Sequence, residues 1–156
     1  MTNQHSQNVE IVLSILQDEA NGDVKKALEK LTEDYSMTWV YKKESGELFP
    51  VTGKGVEEEL EEVYPIRNRK YVIKNIAEGK NLVMLELVES YPDPKTGEVY
   101  RTPMVLVLEM KDGKIRTGRH YCDPKISFEL LPEEEISKAY KNPQSESFEI
   151  TDQRSQ

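Results

Sequence analysis

The chain has 156 residues, 37% of them hydrophobic and 32% charged, and its 21 Lys+Arg against 29 Asp+Glu leave a formal net charge of -8. Neutralising phosphates needs clustered cations, so this balance argues against nucleic acid and against an anionic membrane surface as partners. The single cysteine, Cys122, excludes an internal disulfide, and no apolar stretch approaches the ~20 residues of a membrane-spanning helix.

The length predicts one domain that buries ~70% of its unfolded surface. The expected organisation is a disordered polar leader over 1–7, a folded unit over 8–142 and a polar tail over 143–156. Both ends are expected to be removable without unfolding the rest. The opening MTNQHSQNVE has neither the basic segment nor the apolar run of a signal peptide. A cytoplasmic protein is therefore expected.

Asn8 is a suitable N-cap for a first helix, in which Val9, Val12, Leu13, Leu16 and Ala20 fall on one face. Asn21-Gly22 stops it, and Asp23 can cap a second helix carrying Val24, Ala27, Leu28 and Leu31. The period then changes. Tyr35, Met37, Trp39 and Tyr41 alternate with Ser36, Thr38 and Val40, which is a strand with one heavily loaded face. After Gly53-Lys54-Gly55 comes a third helix with Val56, Leu60, Val63 and Tyr64 on one side. Glu57, Glu58 and Glu59 in its first turn suit the positive end of the helix dipole, and Pro65 ends it.

Four strands follow, over roughly 70–77, 82–91, 98–111 and 114–123, with no helix between them. Glu78-Gly79-Lys80-Asn81, Asp93-Pro94-Lys95-Thr96-Gly97 and Lys111-Asp112-Gly113 have the Gly and Asx chemistry of hairpin loops. Such short loops require antiparallel pairing. Pro132 with Glu133, Glu134 and Glu135 can start a short last helix. The fold class is therefore α+β, with N-terminal helices packed on one face of a mainly antiparallel meander.

This order resembles the nuclear transport factor 2-like superfamily, the cone fold shared by SnoaL-like cyclases, ketosteroid isomerases and limonene epoxide hydrolase. The last strand, Asp112-Gly113-Lys114-Ile115-Arg116-Thr117-Gly118-Arg119-His120-Tyr121-Cys122-Asp123, carries the clearest likeness. The helical hairpin, the loaded first strand and the Gly53-x-Gly55-Val56 entry to the third helix add to it. The likeness spans roughly residues 8–130. It implies a strongly curved sheet, an internal pocket between helices and sheet, and, as in many members, a homodimer or larger assembly formed through the sheet face. It does not fix an activity, because unrelated chemistries use this fold.

The resemblance places His120 where epoxide hydrolase-like members carry an Asp. It places Leu87 and Glu89 where they carry an Arg-x-Asp pair. An arginine at that position is absent, which argues against epoxide hydrolysis by that route. His120 and Glu89 remain the candidate catalytic groups, with Asp123 a weaker one. An imidazole can exchange a proton near neutral pH, and a carboxylate on an apolar face can act as a base. Each also has a plain structural reading: a hydrogen-bonded histidine, a wet strand end, and a turn residue before Pro124.

Met37, Trp39, Tyr41, Leu87, Tyr91 and Gly118 are the candidate ligand contacts, by alternation along the strands and, for Gly118, by the room it would leave. Met37, Trp39 and Tyr41 would equally serve as core. Arg67, Arg69 and Lys70 read as a solvated basic loop. Gly53-Lys54-Gly55 lacks the spacing and the Lys-Ser/Thr pair of a phosphate loop. No metal and no cofactor is expected, since Cys122 has no partner at metal spacing. The expected ligand is a small apolar or amphipathic molecule. Two functions fit: a cofactor-independent isomerase, cyclase or hydratase, or a non-catalytic dimeric binding or association module. Polar groups converging inside the pocket would favour the first, and a wholly apolar interior the second.

Overall fold

The computed structural model describes residues 5–52, 56–63, 65–140 and 147–154. Expectations for residues 1–4, Gly53-Lys54-Gly55, Tyr64, and residues 143–146 and 155–156 lie outside the described residues.

Helix α1 covers Gln7–Asn21, and its cap is Ser6 rather than Asn8. The Ser6 hydroxyl accepts a hydrogen bond from the Val9 amide at 3.2 Å. Gly22 closes the helix at φ 71°, a left-handed conformation that glycine adopts freely. Helix α2, Val24–Glu29, follows at once, with the Asp23 side chain accepting from the Lys26 amide. The apolar stripe of α1 is the one the spacing predicts: Val9, Val12, Leu16 and Ala20 are buried.

The strands are β1 (Leu31–Trp39), β2 (Val51–Thr52), β3 (Lys70–Gly79), β4 (Leu82–Pro92), β5 (Val99–Lys111), β6 (Lys114–Tyr121) and β7 (Phe148–Thr151). Helix α3, Val56–Val63, lies between β2 and β3, and a short α4, Glu133–Ser137, lies between β6 and β7. They form one sheet in the order β2-β1-β6-β5-β4-β3-β7. Among the described strands only the β1–β6 pair is parallel. The sheet is curved and unclosed, and the helices pack on its concave side, so the fold is the α+β cone. At the β5–β6 hairpin, Asp112 and Gly113 both take positive φ, 52° and 76°, which matches the right-handed strand twist.

Two features depart from plain alternation. Glu109 pairs with Thr117 while Met110 pairs with Ile115, so Arg116 is an extra residue in β6. This bulge puts Ile115 on the same face as Gly118 and His120, where strict alternation would put it opposite. The second departure is at the C-terminus. Within the segment read as a polar tail, Phe148–Thr151 pairs antiparallel with β3, and Ile150 is buried. Phe148 and Ile150 on either side of Glu149 are too short a pattern to announce a strand alone.

The core lies between α1 and the concave face. It joins Val9, Val12 and Leu16 of the helix to Tyr71, Ile73, Val83, Leu85, Leu87, Leu106 and Leu108 of the sheet.

Candidate functional site

Toward the end where α1 finishes, the helix and the curved sheet diverge and leave a cavity of about 320 Å³. Its walls are mostly apolar: Ile15, Leu16, Leu31, Met37, Trp39, Val56, Leu60, Ile66, Met104, Leu106, Leu108 and Ile115. Into it converge Glu19 from α1, Arg69 from the residue before β3, Tyr71 from β3, Glu89 and Tyr91 from β4, and His120 from β6. A mainly apolar chamber with a few aimed polar groups is the usual form of a small-molecule site.

Register explains the convergence. Tyr71 stands opposite Glu89 across the β3–β4 ladder. Arg69 precedes Tyr71 by two residues, so both point to the concave face. Its Nη1 lies 3.1 Å from Glu89 Oε1, and its guanidinium carbon lies 4.7 Å from the centre of the Tyr91 ring. Arg69 is only 2% exposed, so this pair is fixed inside protein rather than in water. Arg69 thus reaches Glu89 from the residue before the neighbouring strand β3. The solvated basic loop expected at 67–70 does not hold for Arg69, because the strand phase turns it inward while Arg67 stays half exposed.

Glu19 sits three residues after Leu16 on the apolar stripe of α1, facing the cavity. Burial first, and the nearby Glu89 charge second, push its carboxyl up to about 7; Arg69 and Tyr71 pull the other way. Burial also raises the Tyr71 phenol well above its usual range. Tyr71 is 1% exposed, and its hydroxyl faces the Glu19 carboxyl, its hydrogen-bonding neighbour. Burial lowers the His120 imidazole, against the pull of Glu89. His120 Nε2 lies 2.7 Å from Met104 Sδ, and its Nδ1 has no partner. A thioether can only accept, so the contact places the ring proton on Nε2 and leaves the Nδ1 lone pair bare. Buried polar atoms without partners are costly and uncommon. The bare His120 Nδ1 marks a place where a ligand or water would complete the bonding.

The structure brings together His120, Glu89, Met37, Trp39 and Tyr91 and leaves out four other candidates. Leu87 is fully buried in the core with the α1 side chains, away from the cavity. Tyr41 lies beyond the end of β1: its amide bonds back to the Trp39 carbonyl, so the alternation stops at Trp39. Gly118 makes room for a side chain of the protein rather than for a ligand, since a Cβ there would lie 2.6 Å from Met37 Cε. Asp123 is exposed after β6, where its carboxylate accepts the Lys125 amide in a turn.

Sequence reading missed Glu19, Arg69 and Tyr71. The signals were present: Glu19 is a carboxylate on a buried stripe, and Arg69 and Tyr71 are in phase with Ile73. Among the described residues no group of three or more His, Cys, Asp or Glu could hold a metal ion, and no helix is long and apolar enough to cross a membrane.

No protein-family model matches the sequence, and no curated protein matches it. Solved structures match in shape. A proposed isomerase from Bacillus subtilis is 20% identical, with a TM-score of 0.67 over 80% of this chain and 94% of its own. IdmH, a proposed polyketide cyclase from Streptomyces antibioticus, is 14% identical, with a TM-score of 0.64 over 81% of this chain and 99% of its own. An NTF2-like protein of unknown function from Cytophaga hutchinsonii is 18% identical, with a TM-score of 0.59 over 82% and 99%. Identities this low speak for the fold alone.

Proposed function

From the nuclear transport factor 2-like fold of this chain, we propose that it is a small-molecule isomerase or cyclase working by acid–base chemistry without a cofactor. The carrying observation is the convergence of Glu19, the Arg69–Glu89 pair, Tyr71 and His120 in one apolar chamber. A non-catalytic module would need only the apolar walls. Chemistry that moves protons needs groups whose protonation changes near the working pH. The Glu19 carboxyl, pushed up to about 7, is such a group. The isomerase and cyclase roles proposed for two proteins of the same fold support the reading.

In this reading the His120 Nδ1 lone pair accepts a proton from a carbon next to a carbonyl. Glu19, protonated, and the Tyr71 hydroxyl hydrogen-bond the carbonyl oxygen as charge develops on it. Arg69 stays on Glu89 and holds the cavity close to neutral, since a lone guanidinium would draw in anions. The substrate is therefore an uncharged, mainly apolar ketone or enone. The outer sheet face serves as a homodimer interface: Met84, opposite Val107, and Tyr121, opposite Val105, are exposed there.

Deuterium incorporation tests the catalytic step. A panel of uncharged cyclic ketones and enones in D2O is expected to exchange at the α-carbon with the protein, and not with Glu19→Gln or His120→Phe. Binding of these ketones without exchange between pH 5 and 9 would reduce the protein to a binding module. Absence of both would overturn the reading.

A further inference from the structure

The charged groups of the cavity stand at weak points of the backbone. Glu19 lies in the last turn of α1, where the carbonyls run out of helical partners. Arg69 follows Asn68, which sits in the left-handed region at φ 62°. Both points are tied to one short segment after β7.

The Asp152 side chain is 1% exposed. Its Oδ2 accepts at 2.9 Å from the amide of Asn68, the residue before Arg69. Both carboxylate oxygens also accept from Arg154: the Arg154 amide and Nε at 2.9 Å on Oδ1, and Nη2 at 2.9 Å on Oδ2. Those bonds, Arg154 first, hold the Asp152 carboxyl far below the usual carboxylate range. Arg154 Nη2 then reaches the Ala20 carbonyl at 3.4 Å, directly after Glu19, and the Ile66 carbonyl at 3.1 Å, on the cavity wall. Nearby, Gln17 Nε2 donates to the Thr151 carbonyl at 2.8 Å, and the Gln153 amide donates to Asn21 Oδ1 at 2.9 Å. Neither Asp152 nor Arg154 lines the cavity.

We propose that the Asp152–Arg154 pair is a positioning clamp that sets Arg69 against Glu19 and Glu89 by fixing the end of α1 to the 66–69 loop. The proposal rests on the cavity reading above. Its geometry is specific: one carboxylate holds the amide of the residue before Arg69, and the guanidinium it carries holds the carbonyl of the residue after Glu19. Buried, charge-assisted bonds of this kind are the strong and directional ones. A C-terminal segment of mostly polar composition thereby becomes part of the site.

The test needs no substrate. The Glu19 carboxyl titration is followed by carbon NMR on the whole chain, with the Arg69 guanidinium proton as a second signal. In Asp152→Asn the Glu19 midpoint is expected to rise by ~0.5 unit or more, a fraction of the 1–3 units an adjacent opposite charge is worth. The Arg69 signal is expected to exchange faster. Should Asp152→Asn fail to fold, Arg154→Gln keeps the Asp152–Asn68 bond and removes the ties to Ala20 and Ile66; the same rise is expected. Folded variants with a lower melting temperature but an unmoved Glu19 midpoint would make the pair merely structural and overturn the clamp. Arg69→Met separates the two ideas. If it too leaves the midpoint in place, the coupled-site reading fails, and the clamp with it. If Arg69→Met moves the midpoint and the clamp variants do not, only the clamp fails.

Discussion

Arg69 and Glu89 meet at 3.1 Å across adjacent strands, with the guanidinium stacked over Tyr91 and nearly sealed from solvent. Glu89 is also the charge that Glu19, Tyr71, Tyr91 and His120 all feel. The ion pair is thus the electrostatic centre of the cavity, and changing either partner retunes every proton-active group around it.

Removing one partner should therefore cost more than removing both. Arg69→Met leaves Glu89 buried without its cation, which typically costs about 3–5 kcal/mol. Urea unfolding should show a loss of that order, and the double variant Arg69→Met/Glu89→Leu should recover most of it. A double variant no more stable than Arg69→Met would show that the pair is not self-contained.

Glu19 makes the fold sensitive to alkali. Its folded-state carboxyl is raised from 4.5 to about 7, so the native state holds a proton that the unfolded chain releases. That contribution is complete below about pH 4.5 and is lost as pH rises through about 7. Glu19→Gln should match the wild type at pH 4 and exceed it at pH 8 by on the order of 2–4 kcal/mol, from the size of the shift. Thermal melts at both pH values decide it; equal stability at pH 8 would contradict a desolvated carboxyl.

Trp39 reports on His120. The two rings meet edge to face with centroids 6.2 Å apart, and Trp39 is the only tryptophan. An imidazolium quenches indole emission, so fluorescence should fall as His120 gains its proton. Because burial disfavours that charge, the step should come below the ordinary midpoint of 6.5. The folded state should also lose stability there as pH falls, the opposite sign to Glu19. In His120→Phe the step should vanish.

Ending the chain after residue 146 removes β7 and the residues that follow it. Ile150 alone is worth roughly 1.5–3 kcal/mol of burial, and its ladder to β3 goes with it. Chemical denaturation should register a loss of at least about 2 kcal/mol. An unchanged midpoint would show that the segment is dispensable, as its composition suggests.

The outer sheet face carries the dimer prediction. Val107 is only 7% exposed in the single chain, so its neighbours already cover it. Met84 at 37% and Tyr121 at 41% are the side chains that a partner would bury. Val105→Asp lies beside Tyr121 across the β5–β6 ladder and should give a monomer by light scattering where the unaltered chain is dimeric. An unaltered chain that is monomeric at high micromolar concentration would refute the interface.

What the sequence by itself determined is local. Gly22 ends α1, Asp23 caps α2, and Asp112-Gly113 supplies the two positive φ angles of its hairpin, each from the chemistry of one or two residues. The stripe of α1 and the Met37-Trp39 alternation followed from period alone, because period states which side of its own element a residue occupies. The order of these elements was enough for the cone. Tertiary structure decided what period cannot reach. The bulge at Arg116 sets which residues of β6 share a face with His120. Docking of β7 converts a polar end into part of the sheet. Above all, the raised Glu19 carboxyl and the buried Arg69–Glu89 pair exist only because α1, β3 and β4 close around them. Whether a carboxyl keeps its proton depends on the water it loses and the charges it meets, and those come from segments far away along the chain.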